Sequence, residues 1–585
     1  MADTKHYTDE RNVQIVISLL KQHGIHRVIA SPGTTNMTFV GSIQNDPYFQ
    51  IWSSVDERSA AYLACGMASE TGEPVVLSCT GATASRNYMP GLTEAYYRKL
   101  PVLAITSHRG DYQIGQLCDQ QIDRRNIPND IAVESVVVRM VKDASDEKYC
   151  IANANRAILA LTTNGGGPAH INMFTAYSQN FSVESFKAAR KIELHTPFDE
   201  SWPQLPQGRI AIFIGAHQPF SEKATKAIDN FCSVDDAVVF TSHISGYQGK
   251  YKVNYSLVSG YGGYQSDCKK IDLLIHLGEI AGNTYSVSGK ETWRVSEDGK
   301  PRDLFNNLTH VFQMPPQVFF EHYATGEGNH TEYLKACKAD IDKLTSLIPE
   351  LPFGNIWMAQ HMISHLPVGC EFHMGILNSM RSWNFFQLPK GIYARTNVGG
   401  YGIDGGISTM IGASLVNPNK LFIGVFGDLA FFYDMNVLGN REVGNNVRIM
   451  LINNGMGAEF RNYGHPCYPY GPAAEKFMAA AGHYGNKSPQ LVKHYAQDLG
   501  YEYLTASDKE SFLKAMPKFV DPVIGDKPMV FEIFTDRQNE SDALEIMLNL
   551  VKPTLKQNAI KEGKKIVKKV VGESVIHSAK KLLGK

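Results

Sequence analysis

Short apolar runs, each closed by a small or polar residue, recur along this chain and constrain its fold more than any other feature. Arg27-Val28-Ile29-Ala30, Val75-Val76-Leu77-Ser78 and Val102-Leu103-Ala104-Ile105-Thr106 are the first three. Helical patterns separate them, such as Glu57 to Ser69 with Ala60, Ala61, Leu63 and Ala64 on one side. Buried parallel strands read as continuous apolar runs, and strands alternating with helices imply a parallel sheet covered on both faces. The pattern continues with Arg209 to Ile214, Ala237 to Phe240 and Asp272 to Gly278. It returns with Gly391 to Ala394, Leu421 to Phe426, Val447 to Ile452 and Met529 to Ile533. A Pro-containing polar stretch, Thr196 to Pro206, and a second break at Pro349 to Gly354 divide these runs. The expected fold class is therefore α/β, with three doubly wound parallel-sheet domains at 1–185, 205–345 and 354–545. A basic helical tail at 555–585 follows.

Composition narrows the class. Of 585 residues, 43% are hydrophobic and 20% charged, which excludes disorder over most of the chain. Lysine plus arginine number 57 against 58 acidic residues, so no nucleic-acid partner is expected. The balance conceals two unlike parts. The tail from Leu555 to Lys585 has nine lysines and two glutamates, a net +7, which leaves −8 on residues 1–554. Its apolar residues recur at helical spacing, so peripheral contact with an anionic membrane surface is one expectation. Packing on the chain's own oligomer, or solvation, is the other. The first residues lack signal-peptide order, no run of about 18 apolar residues occurs, and a cytoplasmic protein is expected. The nine cysteines form no CxxC pair, which predicts free cytosolic thiols rather than a zinc site or a disulfide framework.

The sharpest chemistry lies in the third block. The run Lys420 to Phe426 ends in Gly427-Asp428-Leu429-Ala430. A helix is expected through Phe432, Met435, Leu438 and Val443. The next run ends in Asn453-Asn454-Gly455-Met456. A right-handed βαβ crossover puts both strand ends on one sheet edge, so Asp428 and Asn454 are expected side by side despite 26 intervening steps. Two oxygen ligands beside a helix N-terminus suit Mg²⁺ bridging a diphosphate, and Gly427 allows close backbone approach.

This arrangement resembles the GD…NN fingerprint of thiamine diphosphate (ThDP) enzymes. Leu429 stands where glycine is usual. That departure is shared by one branch, 2-succinyl-5-enolpyruvyl-6-hydroxy-3-cyclohexene-1-carboxylate (SEPHCHC) synthase of menaquinone biosynthesis. The stretches Gly427 to Asn436, Gly402-Ile403-Asp404-Gly405 with Ser408-Thr409, Asp56-Glu57-Arg58-Ser59-Ala60 and Cys79 to Tyr97 are similar to the same branch. The resemblance implies a pyrimidine-binding, a middle and a diphosphate-binding domain, in that order. It implies ThDP and Mg²⁺ as cofactors, and a homodimer or homotetramer with active sites between subunits. It makes Glu57 the catalytic carboxylate that holds the aminopyrimidine ring, a role that calls for an apolar pocket. Ile403 would bend the cofactor, and Gly427, Asp428, Leu429, Ala430, Asn454 and Met456 would bind it. Asp428, Asn454 and the Met456 carbonyl would hold the metal.

The sequence also leaves the branch. Its Pro-Gly-Ser-Arg-Ser turn is here Pro32-Gly33-Thr34-Thr35-Asn36, and its Asn-Arg-Gly is Asn397-Val398-Gly399. A third branch arginine has only Arg381, out of register, as a counterpart. SEPHCHC synthase uses arginines to bind 2-oxoglutarate and isochorismate, and each charged hydrogen bond is worth roughly 1.5–3 kcal/mol. The expected activity is therefore decarboxylation of a pyruvate-like 2-oxo acid and transfer of the acyl carbanion to an acceptor carbonyl, in the transferase or lyase class. Thr34, Thr35 and Asn36 would suit a sugar-like acceptor. SEPHCHC synthase with relocated arginines, or a non-catalytic ThDP-fold subunit, are the alternatives. Further substrate-site candidates are His108, Gln120 or Gln121, Arg381, and Glu459 and His465 on a Gly- and Pro-rich loop.

Overall fold

A computed structural model describes residues 6–124, 126–260, 264–282, 287–479, 481–482 and 488–551. The basic stretch 555–585, expected as a membrane-facing or self-packed helix, lies outside the described residues. Two compact units form, residues 6–202 with 293–314 and residues 203–292 with 315–551.

The first unit is built on six strands: β1 (Arg27–Ala30), β2 (Gln50–Ser53), β3 (Val75–Thr80), β4 (Val102–His108), β5 (Glu134–Val138) and β6 (Ala169–Phe174). They run parallel in the order β2–β1–β3–β4–β6–β5. β4 is buried along its whole length, as its unbroken apolar run predicts. One face packs on Val16, Leu20, Ile158 and Phe39, the other on Ala61, Ala64, Tyr88 and Leu92. A short strand, β7 (Glu193–His195), follows.

The second unit begins with β8 (Ile210–Ile214), β9 (Val238–Thr241), β10 (Lys252–Asn254) and β11 (Ile271–Leu277), parallel in the order β10–β9–β8–β11. β12 (Gly289–Val295) carries the chain back to the first unit. There β13 (Leu308–Phe312) pairs in parallel with β7, over Leu159, Ile192 and Val311. The second unit resumes with β14 (Glu371–Met374), β15 (Tyr393–Arg395), β16 (Phe422–Gly427), β17 (Val447–Asn453), β18 (Glu502–Ala506) and β19 (Met529–Phe534). Their order is β15–β14–β16–β17–β19–β18, again parallel throughout. The fold class is α/β, as expected, and every described pairing within the three sheets is parallel.

Two local expectations are corrected. The helix after β16 covers only Asp428–Asp434, then tightens into a 3₁₀ segment, Met435–Gly439, so Val443 lies beyond it. The Asn440 side chain accepts a hydrogen bond from the Glu442 amide, an Asx turn that competes with helix. In the helix Glu57–Thr71, Ala60, Ala61 and Ala64 are buried but Leu63 is 50% exposed. The buried stripe is a narrow alanine face against the helix Met89–Arg98, with no room for a leucine.

Candidate active site

β16 and β17 run in parallel with Gly427 opposite Ile452, so both strands release the chain at the same sheet edge. Asp428 opens its helix there with only 2% of its surface exposed. Its Oδ1 accepts from the Leu429 amide at 2.7 Å. Its Oδ2 accepts from the amides of Gly455 at 2.7 Å and Met456 at 3.1 Å. Asn454 Oδ1 accepts from the Met456 amide at 3.3 Å. The expected neighbourhood of Asp428 and Asn454 is thus present, and the turn after β17 wraps its N–H groups around the Asp428 carboxylate. Gly455 makes that wrap with φ +78°, a conformation that favours glycine.

Beside Gly427, the ends of β14, β15 and β16 border a shallow cleft. His373, Arg395, Asn397, Ile403, Phe426 and Ala430 are among its walls. Asp434 holds one wall in place, accepting from the amide of Ser408 at 2.6 Å and from its hydroxyl. That ties the short helix after β16 to the helix Gly406–Leu415 and so positions the Gly402–Gly405 turn with Ile403. A side-chain carbon added at Gly427 would meet nothing within 4 Å, so the backbone there is open to a ligand. A carboxylate, a side-chain amide oxygen and a main-chain carbonyl form an all-oxygen donor set, which suits Mg²⁺ rather than a softer metal. The residues present therefore fit a metal-bound diphosphate.

In the first unit, Asp56 caps the helix Glu57–Thr71, accepting from the amides of Arg58 and Ser59 at 2.8 and 3.2 Å. Glu57 is the first helical residue, half-buried, and its Oε2 accepts from Asn87 Nδ2 at 3.4 Å. Asn87 comes from the segment after β3, so two strand-end elements meet at this carboxylate.

The substrate candidates fare unequally. Thr34 is exposed. Thr35 is 3% exposed, and its hydroxyl is committed inside the protein. It donates to the Ser107 carbonyl at 2.6 Å, lies 2.5 Å from Thr80 Oγ1, and accepts from the Gly81 amide at 3.3 Å. Asn36 is buried as well and donates to the Ser31 carbonyl and to Ser78 Oγ. The expected hydroxyl-rich surface for a sugar is therefore reduced to Thr34, because Thr35 and Asn36 lock the strand ends together. His108 is 4% exposed, and burial with the nearby Arg124 charge pushes it down to about 3. It is a neutral, inward ring that accepts from the Gly110 amide, not a turn histidine in solvent. Gln120 is exposed, with φ +59°.

Arg381 and Glu459 form a two-pronged ion pair, Nη1–Oε2 and Nη2–Oε1 both 2.9 Å, and Asn462 donates to the same carboxylate. His465 Nδ1 accepts from the Cys467 amide and its ring stands edge-on to Phe460, so it shapes its own turn. Val398, where the resemblance leads one to expect arginine, is 5% exposed and contributes no charge.

Two residues were not singled out from sequence. Arg124 is 6% exposed, and its Nη2 lies 3.2 Å from where a side-chain carbon on Gly81 would sit. Neither Nη has a hydrogen-bond partner among the described residues. Glu540, from the last described helix, accepts from the Asn355 amide and the Thr535 hydroxyl. Burial pushes its carboxyl up to about 7. No motif marks either position; only the pairing of distant segments buries them.

Comparison with known proteins agrees with this geometry. The family described as thiamine pyrophosphate enzyme, N-terminal TPP binding domain, matches residues 11–127. A SEPHCHC synthase of Bacteroides thetaiotaomicron is 30% identical over 567 residues, spanning 92% of this chain and 98% of the relative. That of Bacteroides fragilis is 29% identical over 573 residues with the same coverage. That of Flavobacterium psychrophilum is 25% identical over 548 residues, spanning 89% of this chain and 95% of the relative. The strand-end carboxylate and amide, the amide-wrapped turn and similarity along nearly the full length lead to one conclusion: the chain belongs to the ThDP-dependent enzyme family, close to its SEPHCHC synthase branch.

Proposed function

We propose that this enzyme decarboxylates 2-oxoglutarate and joins the remaining four-carbon acyl unit to an isochorismate-like acceptor, the reaction type of SEPHCHC synthase. Nearly full-length similarity to enzymes of that name supports the reading. The observation that carries it is Arg124. Losing the branch arginine at position 35 removes a carboxylate anchor, yet a buried guanidinium with unpartnered Nη atoms stands at the same strand ends, beside the Gly81 whose amide donates to Thr35. An unpaired buried charge is costly, so an anionic ligand is its natural complement.

Bound ThDP supplies a carbon centre that stabilises negative charge once CO₂ leaves. The protein's own groups have separate tasks. Asp428, Asn454 and the Met456 carbonyl would hold Mg²⁺, and with it the cofactor's diphosphate. Leu429, Ala430 and Ile403 line the space for the cofactor. Glu57 holds the pyrimidine ring and moves a proton at its Oε atoms. Thr34 and Gln120, both exposed, are the substrate candidates of the first unit that remain open to a ligand.

A second reading, with a pyruvate-like donor, is favoured by the Arg381–Glu459 pair. A guanidinium fork already filled by a carboxylate cannot take the distal carboxylate of a dicarboxylic donor. Release of labelled CO₂ from 2-oxoglutarate and from pyruvate, each with ThDP, Mg²⁺ and isochorismate, separates the two. Faster release from 2-oxoglutarate with isochorismate consumed is expected. Release from pyruvate alone would overturn the main reading in favour of the second.

A further inference from the structure

We propose that Glu193, His195 and His310 bind one divalent transition-metal ion of the Zn²⁺ class, at a site separate from that of ThDP. β7 and β13 run side by side with His310 opposite Glu193 and Phe312 opposite His195. Residues two apart on a strand share a face, so the three candidate ligands stand on one face of the pair.

Their atoms converge. His195 Nε2 lies 2.9 Å from His310 Nδ1 and 4.0 Å from Glu193 Oε2, and His310 Nδ1 lies 3.7 Å from the same oxygen. A point equidistant from these three atoms falls about 2.1 Å from each, within the roughly 2.0–2.2 Å range of Zn–N and Zn–O bonds. The point lies in the plane of the three atoms, which leaves room for a water ligand out of that plane. Two imidazole nitrogens and one carboxylate oxygen suit Zn²⁺, Co²⁺ or Ni²⁺ rather than Mg²⁺ or Ca²⁺. No cysteine takes part, so the free thiols are consistent with the site.

The surroundings orient the ligands. Asp199 Oδ2 lies 3.5 Å from His195 Nδ1, where a carboxylate keeps the proton on Nδ1 and turns the Nε2 lone pair toward His310 and Glu193. Lys191 binds Glu193 Oε1 at 2.6 Å and leaves Oε2 on the histidine side. Trp293 stands edge-on to His310 with ring centroids 5.1 Å apart, so metal binding has a nearby fluorescent reporter. An ion here would clip residues 308–312 to residues 193–195 within the first unit, and so stabilise it by mass action.

The test uses the full chain, stripped of metal and then saturated with Mg²⁺ and ThDP so that the Asp428 site is filled. Zn²⁺ is titrated calorimetrically and Co²⁺ by visible absorption and tryptophan fluorescence. One ion per chain is expected, with Co²⁺ quenching emission. Glu193→Gln should weaken Zn²⁺ at least 30-fold, His310→Asn at least as much, and Asp199→Asn about 10-fold. Circular dichroism checks that each variant is folded, and Glu193→Gln, nearly isosteric, keeps the test valid if the histidine variant is not. Stoichiometry well below one, or unchanged affinity in folded Glu193→Gln, overturns the proposal.

Discussion

The edge of β16 and β17 and the two short helical segments that carry Arg381 (Asn378–Asn384) and Glu459 (Ala458–Arg461) hold charge in opposite ways. At the strand edge the Asp428 carboxylate is positioned by three backbone amides, those of Leu429, Gly455 and Met456. Between the two short helices one side chain is held by another, Arg381 by Glu459. Backbone donors belong to the sheet and cannot be exchanged by a point substitution, whereas side-chain partners can. The difference teaches that a charge held by main-chain amides does not depend on which side chains surround it, whereas a charge held by a side chain depends on that one partner.

Substitutions can break that comparison or sharpen it. The largest effect is expected for Asp428→Ala, which removes both the proposed metal ligand and the acceptor of three amides. CO₂ release should fall by about 10³-fold or more, with ThDP affinity lost in equilibrium dialysis. Retained ThDP binding would break the contrast, because the strand edge would then be dispensable. Glu57→Gln should lower kcat by roughly 10²–10⁴-fold, the range of general acid–base groups, with ThDP still bound. Wild-type activity in that variant would remove its proton-moving role.

Next comes Glu540→Gln, which probes the buried support of the cofactor side. A carboxyl raised from 4.5 to about 7 takes its proton more readily in the folded chain than in the unfolded one. Its contribution is therefore complete below pH 4.5 and lost as pH rises through about 7. That shift corresponds to about 3 kcal/mol. The glutamine variant should match wild type at pH 5 and exceed it at pH 8 by up to that amount, read from urea midpoints. Equal stability at both pH values would show that Glu540 does not titrate in this way. Arg124→Gln should lower kcat/KM for a carboxylate-bearing substrate by about 10–100-fold, the worth of one charged hydrogen bond, and leave ThDP affinity unchanged. If ThDP affinity falls instead, the line between cofactor and substrate regions is misplaced.

The parallel strands were legible because buried strands leave unbroken apolar runs: β3, β4, β16 and β17 fall within a residue or two of where the runs lie. Asp428 and Asn454 were legible because strand ends and crossover handedness are local rules. Thr35 was misread because a hydroxyl looks the same in sequence whether it faces solvent or spans β1, β3 and β4. Val443 was misplaced because an Asx turn at Asn440 competes with helical spacing.

By itself the sequence determined the α/β class and the strand-end pair Asp428 and Asn454, since each depends on neighbours within one segment. The tertiary structure alone decided that Arg381 is paired with Glu459, that Arg124 stands buried beside Gly81 with neither Nη hydrogen-bonded among the described residues, and that Glu193, His195 and His310 converge. These facts join residues up to 117 positions apart. No local pattern encodes such a meeting, because it is set by how sheets and loops pack and not by the spacing of residues along the chain.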